Sequence, residues 1–224
     1  MSQPQWFPRR RFLAGGASLA ALALSGCTAT GELRDPAVLH TSEKWAKIYG
    51  PIPEEQFPVP AVDLSKVDEK YYRRQVKYET VEPAGSVIVD TAKFYLYLVQ
   101  PDDLAMRYGV GLGKAGFEWS GRARIAWKRK WPKWTPPKAM IEREPELEKY
   151  SVSNGGMPPG LENPLGARAL YIFEGKVDTL YRLHGTQEVG SIGNAVSSGC
   201  VRLLNQDIID LYDRVPSGGP IRVL

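Results

Sequence analysis

The sequence predicts a mainly β fold over residues 83–224: a β-sandwich or a curled, barrel-like mixed sheet with one short helix and one long capping loop. Three observations carry that expectation. From Pro83 onward, short runs rich in β-branched and aromatic residues recur at modest spacing, the pattern of a sandwich or barrel. The 224 residues include 22 glycines and 18 prolines, enough to turn the chain many times. Only one helix in this region is well signposted, and it lies near the C-terminus.

In chain order, residues 28–82 read as a tether, an N-terminal extension with limited local structure. Ser42–Tyr49 fits a short helix stopped by Gly50-Pro51, and Pro51, Pro53, Pro58 and Pro60 favour extended chain after it. Val67–Tyr78 is compatible with a helix packing on the main domain. Ser86–Asp90 and Lys93–Val99 follow as strands, with Asp90-Thr91-Ala92 as their hairpin turn. Ala105–Gly111, Arg122–Lys128, Ala169–Phe173, Thr179–His184 and Pro220–Leu224 continue the series. Lys130–Leu165 is proline-rich and lacks a clear period. A loop of that length inside a compact domain reads as a lid or the wall of a groove. The helix near the end has Asn205 as its N-cap and Asp207 in its first turn. Ile208, Leu211 and Tyr212 lie on one face, Arg214 near the last turn, and Pro216 stops it.

The first 27 residues read as an export signal. Arg9-Arg10-Arg11-Phe12-Leu13 precedes an apolar run from Ala14 to Leu24, too short to span a bilayer. The Arg-Arg-x-Phe-Leu pattern resembles a twin-arginine signal, and Leu24-Ser25-Gly26-Cys27 resembles a lipobox that would place a lipid anchor on Cys27. A plain cleaved signal and an uncleaved anchor are the alternatives. The formal net charge is +4. Residues 1–26 hold three arginines and no acid, so 26 of the 29 basic residues remain against 25 acids, a net of +1. So near-neutral a chain offers no global electrostatic case for nucleic acid.

The chain has two cysteines and two histidines. With Cys27 assigned to the anchor and His40 in the tether, Cys200 and His184 remain, both inside the Gly- and Ser-rich window 184–202. An unpaired thiol in an oxidising compartment is either a buried small hydrophobe or a nucleophile. Flanking Ser197-Ser198-Gly199 argues against an apolar core site. A thiol needs an imidazole to deliver its thiolate, and His184 ends an alternating strand that displays its ring. Gly199 lets successive amides converge on an oxyanion, and Arg202 places a fixed positive charge two residues from the thiol, which favours thiolate. Two possible ligands fall short of a zinc site, so no metal is expected.

The blocks His184-Gly185-Thr186, Ile192-Gly193, Ser197-Ser198-Gly199-Cys200-Val201-Arg202-Leu203 and Asn205-x-Asp207-Ile208-x-x-Leu211-Tyr212 resemble the L,D-transpeptidase catalytic domain (YkuD) family. Upstream, Gly109–Gly113, Trp131–Pro137, Pro158-Pro159-Gly160 and Asn163-Pro164-Leu165-Gly166 extend the resemblance over roughly residues 84–224. The family implies a β-sandwich-like fold and an exported enzyme acting on peptidoglycan stem peptides without a cofactor. Matched residue by residue, Cys200 is the nucleophile, His184 the general base, and the Gly185 carbonyl the group that orients the imidazole. Arg202 matches the basic residue after the motif cysteine. Ser198, Gly199, Arg202 and Thr186 are the oxyanion and substrate-binding candidates. Many members carry His where this chain has Ser198.

The basic-aromatic run Arg122–Lys138 is the one local feature of nucleic-acid type. In an exported protein it fits a solvated strand face or a groove for a carboxylate-bearing stem or a glycan. The acceptor stays open at this level: an amine that becomes crosslinked, water in a stem-trimming peptidase, or a protein joined to the wall. A non-catalytic wall-binding module is the further alternative.

Overall fold

The structure, a computed structural model, describes residues 36–113, 120–197 and 200–224. The twin-arginine-like run, Cys27, Ser198 and Gly199 lie outside the described residues. No helix among those described is long and apolar enough to cross a membrane.

Helix α1 (Pro36–Tyr49) leads into β1 (Arg74–Lys77), β2 (Val87–Asp90), β3 (Tyr95–Gln100), β4 (Leu104–Gly109) and β5 (Gly111–Gly113). Next come β6 (Gly121–Lys130), the short helix α2 (Lys138–Arg143), β7 (Arg168–Glu174) and β8 (Val177–Thr186). Strands β9 (Ala195–Ser197) and β10 (Val201–Leu204), helix α3 (Asn205–Arg214) and β11 (Pro220–Val223) complete the chain. The described strands form one sheet in the order β1-β4-β3-β2-β11-β6-β7-β8-β10-β5-β9. It is mixed: β8 with β10, β2 with β11 and β5 with β9 are parallel, and the other pairs antiparallel.

The sheet curls because its distant strands share one core. Val87, Leu96, Leu98 and Tyr108 from β2–β4 belong to the same apolar cluster as Leu183, Val201 and Leu203 from β8 and β10. Ile208 and Leu211 of α3 fill it from within, both fully buried. Burying such side chains is the main favourable term in folding, and period-2 alternation decides which residues go inward. On β8 and β10 that sends Leu183, Val201 and Leu203 into the core and leaves Arg182, His184 and Arg202 on the other face.

Three sequence expectations change. Val67–Tyr78 is not a helix: after a 3-10 turn at Glu69–Tyr71 the chain extends into β1 and pairs antiparallel with β4. Val76 and Tyr78, two apart, pack on Ile88, Tyr97, Val99 and Ala105, and Tyr78 stacks on Tyr97 at 4.1 Å. A free strand edge rewarded that alternation more than a helix rewards a partial stripe. Asn205 does not cap α3, whose N-cap is Leu204 with no side-chain hydrogen bond. Its buried Oδ1 instead accepts the Ala167 N–H at 2.9 Å, inside the domain. Gly166 and Gly185 approach that amide so closely that a Cβ on either would overlap it.

Residues 42–82 are not a loose tether. Trp45, Tyr49, Val67 and Tyr72 form a buried cluster with Ile192 and Leu204. Phe57 stands edge-on to Trp131 at 4.9 Å. Tyr49 and Arg73 reach Asp207 of α3 at 3.4 and 3.7 Å, and Arg73 reaches Asp210 at 3.0 Å. Asp207 is fully buried, and burial pushes its carboxyl up to about 7.

Glu55 provides the most demanding of these contacts. Arg168 is 2% exposed, and its guanidinium holds Glu55 through two N–H groups, one at 2.9 Å. Trp131 Nε1–H adds a third bond to the same carboxylate at 2.8 Å, and the Arg168 hydrogen bonds hold it below the usual carboxylate range. Removing one partner of a buried pair strands the other charge, a loss of about 3–5 kcal/mol. Glu55→Ala should therefore lower the unfolding free energy read from urea titration by that amount, with a matching drop in the midpoint, whereas an exposed control, Glu54→Ala, should stay within about 0.5 kcal/mol of the parent. Equal midpoints would mean that the segment does not support the domain.

Candidate active site

Strands β8, β10 and β5 build the candidate site on the face of the sheet opposite the core. In the parallel pair β8/β10, Val201 faces Leu183 and Arg202 faces His184. Cys200 precedes Val201 and so enters β10 beside Arg182. Its backbone carbonyl accepts the Gly113 N–H of β5 at 3.1 Å, which fixes the approach to the strand. Cys200 is the free cysteine among the described residues and is partly exposed.

His184 is 4% exposed. Its Nδ1 lies 2.8 Å from the Gly185 carbonyl oxygen. A carbonyl only accepts, so Nδ1 carries the proton and Nε2 is left with its lone pair. Gly185 is held in turn, its N–H donating to the Leu165 carbonyl at 3.0 Å. The Pro164 carbonyl also faces the ring and favours the charged form, but burial dominates and Arg202 adds to it, so the imidazole is pulled down to about 4. At neutral pH His184 is an uncharged base.

The thiol departs from the expectation that a neighbouring cation would make it a ready thiolate. Burial is the largest influence on Cys200 and raises its pKa. A hydrogen bond from the Arg182 backbone and the charges of Arg182 and Arg202 oppose this without overcoming it. The resting pair is therefore a thiol and a neutral imidazole. Such a pair acts by passing the proton as the carbon–sulfur bond forms.

The remaining site candidates fall as follows. Arg202 pairs with Glu188 across the β8–β10 connection, so its guanidinium is already engaged. Thr186 is buried, and its hydroxyl accepts the Glu188 N–H at 3.0 Å, which shapes the turn that carries that partner. Ser198 and Gly199 fall outside the described residues.

The wall expected from Lys130–Leu165 is folded in its own right. It holds α2, a 3-10 segment at Pro145–Tyr150 and a bridge between Trp134 and Met157. Buried Asn163 stitches it together, its Nδ2 donating to the Pro132 and Pro158 carbonyls at 3.1 and 3.0 Å and its Oδ1 accepting the Leu165 N–H at 2.9 Å. The Pro164 and Leu165 carbonyls brought in this way are the ones that meet His184 and Gly185.

Sequence reasoning missed Arg182. Asp178 grips its guanidinium through two bonds, of 2.7 and 2.8 Å, and it lies 4.4 Å over the Tyr171 ring. Residues four apart on a regular strand are too far from each other to pair. A bulge brings them together, with Leu180 in left-handed conformation at φ 62° and the Leu180 N–H bound to Asp178 at 2.8 Å. Leu180 is 76% exposed, so the strained residue contributes nothing to the core. The available signal was Arg182's position two residues before His184, which puts both on one face.

Comparison with known proteins identifies the family. The family model of the YkuD L,D-transpeptidase catalytic domain matches residues 84–223. Probable L,D-transpeptidase ErfK/SrfK of Escherichia coli is 34% identical over 142 residues, covering 62% of this chain and 43% of the relative. Probable L,D-transpeptidase YbiS of the same organism is 31% identical over 144 residues, with 62% and 44% covered. The chain thus spans less than half the length of these relatives. A solved structure from Brucella melitensis, described as a probable carnitine operon oxidoreductase caia, is 42% identical with a TM-score of 0.50, covering 72% of this chain and 99% of that one. By the match over most of its length, this mainly β chain with its mixed sheet belongs to the YkuD L,D-transpeptidase catalytic domain family.

Proposed function

We propose that the chain is an exported peptidoglycan L,D-transpeptidase in which Cys200 is the nucleophile and His184 the base. The observation that carries the reading is the placement of the described thiol at the start of β10, beside a strand whose imidazole is held neutral with its Nδ1–H on the Gly185 carbonyl. The Cys200 thiol gives its proton to His184 Nε2 as sulfur attacks the carbonyl of the third, diaminoacid residue of a tetrapeptide stem. The tetrahedral intermediate collapses, His184 returns the proton to the departing amine, and D-alanine leaves behind a thioester. An amine acceptor then attacks, loses its proton to His184, and the thiol is restored. The substrate amide supplies the energy, so the scheme needs the amine acceptor and no metal or nucleotide. Gly199, with Ser198, is the candidate for holding the oxyanion. Export by the twin-arginine-like signal and anchoring through a lipid on Cys27 complete the proposal.

Incubating purified protein with a defined tetrapeptide stem, with and without an amine acceptor, should give an acyl-enzyme mass on Cys200 and a crosslinked product. Shortened stems alone would assign the site to hydrolysis. Cys200→Ala should abolish the adduct, and His184→Gln should slow its formation by about 10²–10⁴, the span of general-base catalysis. Adduct formation at the parent rate in either variant would overturn the assignment. Cys27→Ser should release the protein from membranes without changing turnover; continued membrane association would refute the anchor.

The neutral base leaves a folding signature. His184 binds a proton near pH 6.5 when unfolded and near pH 4 when folded, so stability falls as pH drops through that interval, by up to about 3 kcal/mol at 1.36 kcal/mol per pKa unit. Asp207 behaves oppositely, because a folded pKa of about 7 makes stability fall as pH rises from 3.8 toward 7. The two slopes offset each other between pH 4 and 6.5. In urea midpoints at pH 4.5 and 6.5, His184→Gln should be more stable at the lower pH and Asp207→Asn at the higher. Parallel profiles for the two variants would contradict the environments described.

A further inference from the structure

Several cations of the run Arg122–Lys138 are engaged within the fold. Arg122 pairs with Glu82, Arg124 donates to the Gly175 carbonyl, and Lys128 donates to the Tyr212 and Val215 carbonyls. The two arginines that flank Cys200 lie elsewhere, and their partners differ in kind. Arg182 is locked, with Asp178 on two of its nitrogens and the Tyr171 ring against its plane. Arg202 is held through Nη1 by Glu188. The Arg202 side chain is 17% exposed and that of Glu188 71% exposed. An ion pair with one carboxylate in water is weak, and another anion can replace that carboxylate. The backbone of Glu188 is tied down, its N–H on the Thr186 hydroxyl at 3.0 Å and its carbonyl accepting the Ser191 hydroxyl at 2.6 Å. Its carboxylate can therefore leave Arg202 without moving the turn.

Strand register puts Arg202 where a substrate charge arrives. Arg202 faces His184 across the β8/β10 pair, and Cys200 lies two residues before it on the same face. Both the imidazole and the thiol feel its charge. In the reaction proposed above, His184 hands a proton to the departing amine. Because His184 stands opposite Arg202, that amine lies on the Arg202 side of the sulfur. In a tetrapeptide stem the amine belongs to a terminal D-alanine, whose α-carboxylate is free. Alternate residues of a strand stand about 6.6 Å apart. One residue of substrate, about 3.5 Å, and one charge-assisted hydrogen bond, about 2.8 Å, span that distance. With the scissile carbonyl at the sulfur, the carboxylate thus meets the guanidinium.

We propose that Arg202 receives the α-carboxylate of the departing D-alanine, and that Glu188 is a place-holder which this carboxylate displaces. The inference rests on the transpeptidase reading above and deepens it, since the pair then selects the donor by its end. A stem longer by one residue brings a neutral amide to Arg202 and carries its carboxylate about 3.5 Å farther on. An amide cannot take the place of an anion on a guanidinium, so Glu188 stays and the longer donor gains nothing from the cation. Specificity then comes from the competitor as much as from the receptor. Arg182, locked by Asp178, stays fixed on the other side of the sulfur throughout.

The test compares a tetrapeptide stem ending in a free carboxylate with the same peptide ending in a carboxamide, following acylation of Cys200 by mass. The parent protein should prefer the acid about tenfold in kcat/KM, the effect of one charge-assisted hydrogen bond. Arg202→Gln should erase that preference and Arg202→Lys should keep most of it. A general effect of the Arg202 charge on thiol or imidazole falls on both donors alike and leaves their ratio untouched. Glu188→Gln should lower KM for the acid donor about three- to fivefold and widen the preference, because the competing anion is gone. A preference that survives Arg202→Gln overturns the receptor. A KM for the acid donor that stays level or rises in Glu188→Gln overturns the place-holder. A second measurement is independent of turnover. Titrated into Cys200→Ala protein, the acid should bind about tenfold more tightly than the carboxamide, and adding Arg202→Gln should make the two equal. Equal binding by the Cys200→Ala protein itself also overturns the proposal. If the parent is acylated by neither donor, the transpeptidase reading fails, and the titration still decides the carboxylate site.

Discussion

The parallel pairing of β8 with β10 is the constraint on which the site depends. Parallel neighbours cannot be joined by a tight turn, so the chain leaves β8 after Thr186, crosses through a 3-10 turn and β9, and returns at Val201. The return register is locked by burial, since Leu183, Val201 and Leu203 must all face the core. A slip of one residue would invert every side chain of β10 and drive Cys200 inward and Val201 outward. The apolar residues, which do no chemistry, thus determine that the thiol and imidazole share a face. Behind them Gly166 and Gly185 leave room only for the Asn205 amide, which joins the start of α3 to Ala167 at the start of β7.

With the geometry set, desolvation outweighs charge. Two arginines stand near Cys200, and each has a carboxylate partner, Arg182 with Asp178 and Arg202 with Glu188. A paired guanidinium projects less field than a free one, while burial desolvates both groups. The thiol therefore rises and the imidazole falls. A resting thiolate–imidazolium pair would be the stronger nucleophile, but it is also the species that oxidants attack most readily. On the proposed export, a thiol that stays protonated at rest would suit a cysteine held in an oxidising compartment.

Legibility in the sequence followed how local each interaction is. The hairpin of β2 and β3 and the strands β6, β7, β8 and β11 are written in alternation within a few residues, and their positions can be read directly. His184 and Cys200 stand out because the chain has only two histidines and two cysteines, whereas Gly185, one of 22 glycines, could be singled out only through the family resemblance. Arg182 was hidden because its role depends on a bulge at Leu180 that only the folded backbone reveals. Asn205 misled because an Asn ahead of a helix looks the same whether its amide caps the helix or reaches 38 residues back to Ala167. Val67–Tyr78 has an ambiguous period, and the choice fell to an edge of β4 that lies outside the segment. The tether was misread for a related reason: a proline-rich stretch with little periodicity can still be fixed by side chains, if each finds a partner elsewhere in the chain.

Those partners explain what the N-terminal segment does for the site. The family match begins at residue 84, yet Glu55 neutralises Arg168 at the start of β7, and Tyr49 and Arg73 close on Asp207 and Asp210 in α3. Helix α3 follows directly on β10, so any rotation of α3 would be transmitted to the strand that carries Cys200. Apolar packing alone would let the helix slide, because dispersion has little directional preference. A guanidinium held between two carboxylates, with Gln206 donating to the Gly50 and Pro60 carbonyls at 3.1 and 2.8 Å, fixes both its rotation and its height. Burying Asp207 costs stability, as its raised pKa records, and a buried polar network of this kind adds orientation where it adds little net stability. The segment outside the family domain therefore acts as the brace for the element immediately behind the nucleophile.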